Sequence, residues 1–169
     1  MDATVKLYSL TYNNSKTYLF VLLFVAGNIL LPQLCHLIPR GGLIFLPIYF
    51  FTLIAAYKYG LMVGLLTAVL SPLVNHILFG MPPSAALPAI LIKSSILAIA
   101  AAASAHYFKK VSLWGVLLAV LAYQIIGILF EWALVKDFYV AIQDFRMGMP
   151  GILLQIIGGY ILLKSISKI

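Results

Sequence analysis

A lysine at position 93, set in an otherwise apolar stretch, is the most informative residue of the chain. It falls about two turns into a helical segment, where an unpaired charge costs roughly 2.5–3.5 kcal/mol in a bilayer. Two readings follow. The lysine snorkels to a nearby interface, or it faces a cavity and neutralises Glu131 or an anionic ligand; the second is preferred here. Thr67, Ser71 and Asn75 recur at steps of four and so share a helix face. Such a stripe either bonds a neighbouring helix or lines a cavity. Asn75-His76 at its end, and Gln124, Gly127 and Glu131 with Trp132 beside them, could read polar ligand groups. Trp132 fits an interfacial aromatic belt equally well. Gln155 is a similar candidate.

Other chemistry is scarce. Cys35-His36 offers two metal ligands without a third, and the single cysteine permits no internal disulfide. No Ser/His/Asp set, paired catalytic carboxylates or phosphate-cradling glycine loop occurs. With three histidines and four acids, an enzyme is disfavoured and no catalytic residue is assigned. No cofactor or metal is expected.

The elements that must position these residues are membrane spans. Of 169 residues, 64% are hydrophobic and 9% charged, and the mean hydropathy is +1.11. A soluble domain carries about 25% charged residues, so an ordinary globular enzyme is excluded. Glycine and proline punctuate six apolar stretches, at 17–34, 43–57, 61–79, 85–107, 113–135 and 150–163. The second is short, and Pro47 is expected to kink it or shift its start. The predicted fold is all-α, six transmembrane helices in one compact bundle formed by the whole chain, 1–169. Residues 1–16 form a polar N-terminus rather than a cleavable signal peptide.

Charge sets the orientation. With the N-terminus inside, Lys6, Lys16, Lys58, Lys109, Lys110, Lys164 and Lys168 are cytoplasmic, against Arg40, Lys136 and Arg146 outside. This positive-inside bias predicts that both termini are cytoplasmic. The net charge of +7 then reports topology and anionic lipid, not nucleic acid. Outer segments 36–47, 75–88 and 131–150 hold most of the unusual residues, so a binding site opening outward is expected.

Three motifs carry a family resemblance. Pro39-Arg40-Gly41-Gly42-Leu43-Ile44-Phe45-Leu46-Pro47 is similar to the first outer loop of S components of energy-coupling-factor (ECF) transporters. Leu70-Ser71-Pro72-Leu73 with Gly80-Met81-Pro82-Pro83 resembles that family's third helix and third loop. Gly148-Met149-Pro150-Gly151-Ile152-Leu153-Leu154-Gln155 resembles its entry to the sixth helix. The matches span almost the whole chain.

The resemblance implies a substrate-binding subunit of an ABC importer in the bacterial cytoplasmic membrane. Its pocket would lie near the outer face under loops one, three and five, and would draw on Arg40, Asn75, His76, Lys93, Glu131, Trp132, Arg146 and Gln155. The ligand would be a vitamin or cofactor precursor, delivered inward with a T component and two cytoplasmic ATPases. Lys93 and Arg40 suit a carboxylate, and Trp132 or Tyr123 a flat or apolar body. Lipoate, pantothenate or biotin are favoured on that ground, while cobalamin, a flavin or a nucleobase stay open through His76 or His36.

There are departures. The alanine stripe by which helix one of S components docks is replaced by Leu22, Leu23, Ala26, Gly27, Leu30 and Leu31. Docking would then use Gly60, Gly64 and Ala68, or the partner differs. Lys93 stands where many members carry a glutamate, which implies a different ligand charge. The alternative class is a structural membrane scaffold of MreD type, which needs no outward polar pocket.

Overall fold

The computed structural model describes residues 7 and 9–167. Lys6 and Lys168 of the charge count lie outside them, as does most of the N-terminal segment before residue 9. All regular structure among the described residues is helical. Four long helices, α1 (Ser15–Cys35), α4 (Leu61–Phe79), α5 (Leu87–Phe108) and α6 (Leu113–Val135), are long and apolar enough to cross a membrane. A fifth such stretch, Met149–Ile166, runs through α9 (Met149–Leu153), a π-helical turn (Leu154–Gly158) and α10 (Gly159–Ile166). Asn14 starts α1 by accepting the Lys16 N–H at 3.0 Å.

The second apolar stretch differs from a single span. It is split into α2 (Gly41–Phe45), a 3-10 turn (Pro47–Tyr49) and α3 (Phe50–Tyr59). Leu46 between them is left-handed, at φ 46° and ψ 46°. The following Pro47 has no N–H to continue α2, but its fixed φ suits the first position of a new helix. At ten residues, α3 rises about 15 Å, half a hydrocarbon core. Every residue from Thr52 to Lys58 is buried, so α3 is the centre of the bundle and not a lipid-facing span.

Close packing around α3 depends on small residues. A Cβ at Gly64 of α4 would sit 2.8 Å from the Ala56 Cα of α3, and Gly64 and Ala68 are both buried. Gly64 and Ala68 therefore serve helix approach inside the bundle, while Gly60 makes the turn between α3 and α4 at φ 96°. On the other side, a Cβ at Gly159 would lie 3.0 Å from the Leu53 side chain.

Hydrogen bonds group the helix ends. The Leu10 N–H donates to Tyr59 O at 3.1 Å, the Tyr57 hydroxyl to Lys110 O at 3.0 Å, and Lys58 Nζ to Ile166 O at 2.9 Å. The start of α1 and the ends of α3, α5 and α10 thus share one end of the bundle. Lys16, Lys58, Lys109, Lys110 and Lys164 lie there, with no acid among the described residues of that end. Arg40, Lys136, Arg146 and the acids Glu131, Asp137 and Asp144 belong to the opposite end. Its long connection between α6 and α9 is built from α7 (Phe138–Ala141) and α8 (Gln143–Met147). Asp137 caps α7, accepting the Tyr139 and Val140 N–H groups at 2.8 and 3.3 Å.

Candidate functional site

The acid-bearing end holds a half-open cavity of about 650 Å³. Its walls come from the end of α1 (Pro32, His36), the first loop and α2 (Ile38, Pro39, Arg40, Gly42, Leu43), Pro47 and Ile48, the third loop (Met81, Pro82, Pro83), the start of α5 (Ala86, Ile90), and Gln143 of α8. At its polar point sits Asn75 of α4, only 2% exposed.

Asn75 is fixed by a defect in α1. Pro32 lacks the N–H that would normally donate to Asn28 O, one turn earlier. The Asn75 Nδ2 amide donates to that carbonyl instead, at 2.9 Å, and to Ser71 O at 3.0 Å. Both partners are acceptors, so the amide orientation is set and Oδ1 is the remaining atom. Oδ1 is buried and has no protein donor.

Asn28 ties three helices together beneath it. Its Nδ2 donates to Thr52 Oγ1 and Ser71 Oγ, both at 3.1 Å. Its Oδ1 accepts the Phe51 N–H at 3.1 Å, a donor in the first turn of α3. The polar stripe of α4 thus divides its work. The Thr67 hydroxyl bonds back to Val63 O at 2.8 Å, Ser71 bonds α1, and Asn75 both bonds α1 and lines the cavity. His76 Nδ1 lies 2.7 Å from Pro82 O. A carbonyl can only accept, which places the proton on that nitrogen and anchors the third loop to α4.

Lys93 is 3% exposed and pairs with Glu131 of α6 and, at 2.8 Å, with Asp144 Oδ2 of α8. One ammonium therefore joins two carboxylates on two other elements. The carboxylates are themselves mostly buried, with side chains 18% and 13% exposed. Gly127 makes room for the lysine stem, since a Cβ there would lie 2.6 Å from Lys93 Cγ. Because Gln143 precedes Asp144, the cluster also holds the α8 wall of the cavity in place.

Gln155, in the π-helical turn, lies in a separate buried network. The Tyr123 hydroxyl donates to Gln155 Oε1 at 2.9 Å and accepts from Gln124 Nε2 at 2.9 Å. Trp132, 47% exposed, packs edge-on against Phe138 at 5.4 Å between ring centroids. The exposed Arg146 lies over the Tyr139 ring, 3.4 Å from its centroid, and donates to the Tyr139 hydroxyl.

Of the eight residues singled out by sequence, Arg40 and Asn75 line this cavity together. Lys93 and Glu131 form the charged support, His76 the loop anchor and Gln155 the tyrosine network. Trp132, in the last turn of α6, and Arg146 of α8 are both exposed. Sequence reasoning did not single out Asn28, Pro32, Gln143 or Asp144 for the site. The signal for the first two was an asparagine four residues before a proline inside an apolar helix.

The chain matches no family model, no curated protein and no solved structure. Function is left to the chemistry of the site itself.

Proposed function

We propose that the protein is the membrane-embedded substrate-binding subunit of an importer of the energy-coupling-factor type, capturing a small molecule at its outer face. The observation that carries this reading is the cavity itself, with Arg40 and the nearly buried Asn75 in its wall. It lies under the first and third loops and Gln143 of the fifth, the loops that cap the pocket in S components. A volume of about 650 Å³ suits a small-molecule site, which typically spans about 300–1,000 Å³.

In this reading the 3-10 turn and α3, continued by the first loop, make a sixth passage between the two ends. Both termini then lie on one side. The five lysines gathered there make that side cytoplasmic under the positive-inside rule, and the cavity opens outward from a bacterial cytoplasmic membrane. A T component and two ATPases supply the energy, since the chain has no nucleotide-binding motif. Gly64 and Ala68 are buried against neighbouring helices, so the T component docks on another surface.

Two-sided labelling tests the capture geometry. With Cys35→Ser as background, Gln143→Cys is expected to react with a membrane-impermeant maleimide in intact cells. Lys109→Cys is expected to react only after permeabilisation. The reverse pattern would turn the cavity inward and contradict a subunit that captures from outside.

A further inference from the structure

We infer that the lysine-bearing end of the bundle holds an anionic phospholipid, with an acyl chain between α4 and α5 and its phosphate at Lys109 and His106. This site lies at the opposite end from the capture cavity and does not depend on what that cavity binds.

The observation that carries it is a second half-open cavity, of about 680 Å³. One wall is a single face of α5, because Ile99, Ala102, Ala103 and His106 recur at steps of three and four. Gly60 and Leu61, where α4 starts, belong to the facing wall. Leu7 and Ser9 of the N-terminal segment border it as well.

Depth decides what can lie there. Ile99 is near the middle of the 22-residue α5, and Lys109 follows its last turn. The rise between them is about 15 Å, the depth of one hydrocarbon leaflet. Ile99 and Leu61 are exposed, so in a membrane this face meets acyl chains and not water. The groove therefore suits a chain that is already in the bilayer, and its polar end suits the headgroup of the same molecule.

Charge decides which lipid. The Lys109 N–H donates to Ala105 O at 2.9 Å and ends α5 in a left-handed cap. The Tyr57 hydroxyl donates to Lys110 O at 3.0 Å, so the backbone carrying both lysines is held at the mouth of the groove. Among the described residues no carboxylate pairs with either lysine, and their end of the bundle carries no acid. His106 is exposed and has a ring N–H to give a phosphate oxygen. A zwitterionic headgroup would bring its own cation against the lysines, whereas an anionic one brings only phosphate. Basic pockets between helices select anionic headgroups in this way.

Native mass spectrometry of the purified full-length chain tests the assignment. With the same acyl chains, phosphatidylglycerol is expected to bind at least about fivefold better than phosphatidylcholine, and Lys109→Gln to weaken it about fivefold. Lys136→Gln is the control, because that lysine caps α6 in the same left-handed geometry at the opposite end; it should leave binding unchanged. Both lysines are exposed, so both variants should melt as the parent does. Equal binding of the two lipids, or equal losses in the two variants, would overturn the inference. Displacement of phosphatidylglycerol by an equal concentration of glycerol 3-phosphate would overturn it too, since the occupant would then be a soluble phosphate. A benzophenone on Ala103→Cys, in the Cys35→Ser background, separates lipid from protein. Irradiated in the native membrane, it is expected to give adducts richer in anionic lipid than the membrane itself. Adducts of bulk composition, or a crosslink to a protein, a second copy of this chain included, would overturn the inference. None of these results bears on the capture reading.

Discussion

Replacing Lys93 by alanine is expected to cost about 3–5 kcal/mol of stability, because it strands two carboxylates in the bundle. Glu131 and Asp144 are largely buried and converge on Lys93 Nζ. Without the ammonium they repel each other or must take up protons. In a detergent melting experiment the loss should lower Tm by roughly 10 °C. The rescue is as informative as the loss. Lys93→Met combined with Glu131→Gln and Asp144→Asn removes all three charges and should recover most of the stability, since neutral replacements of buried ion groups are often well tolerated. A different pattern would restore Lys93 to the ligand: an unchanged melt in Lys93→Ala with binding lost.

The second large effect lies where α3 meets α4. Gly64→Ala places a methyl group against Ala56, whose Cα would be 2.8 Å away. Backbone cannot rotate aside as a side chain can, so the helices must separate. Overpacking of this kind costs about 1–3 kcal/mol. Gly158→Ala is the comparison, because its Cβ would meet only the Leu154 and Phe50 side chains, at 3.3 and 3.5 Å. That variant should melt within about 0.5 kcal/mol of the parent. If the two variants melt alike, the close approach of α3 and α4 is wrong.

Much of the helical layout was legible in the sequence because glycine and proline end helices in a bilayer as they do in water. The expected starts and ends of the five long stretches fall within a few residues of the observed ones. Pro47 also signalled the weakness of the second stretch. What could not be read is which faces are buried, since these helices are apolar all round and lipid is as apolar as a protein core. Hence α3 looked like a short span, although it is enclosed on every side. Of the small residues at 60, 64 and 68, Gly64 does sit at a close helix approach, but residue type does not say which helix approaches.

The site was legible in part for a related reason. A lysine in an apolar helix demands a partner, and Glu131 was a visible candidate. Asp144, 51 residues away from Lys93 on a five-residue helix, is brought in only by the folding of the connection after α6. Asn75 stood out as an amide at the end of a polar stripe. That its nitrogen is taken up by Asn28 O of α1 follows from Pro32 in another helix.

Small-molecule mass spectrometry of the purified protein tests most directly whether the outer cavity captures a ligand. The chain would be isolated from its native membrane, denatured, and the released metabolites compared with those from Ala86→Phe, which fills the cavity from its wall. One water-soluble molecule is expected in near-stoichiometric amount from the parent, and none from the variant. A parent that releases nothing beyond what the filled variant releases, both folded by their melts, would contradict a capture site in this cavity.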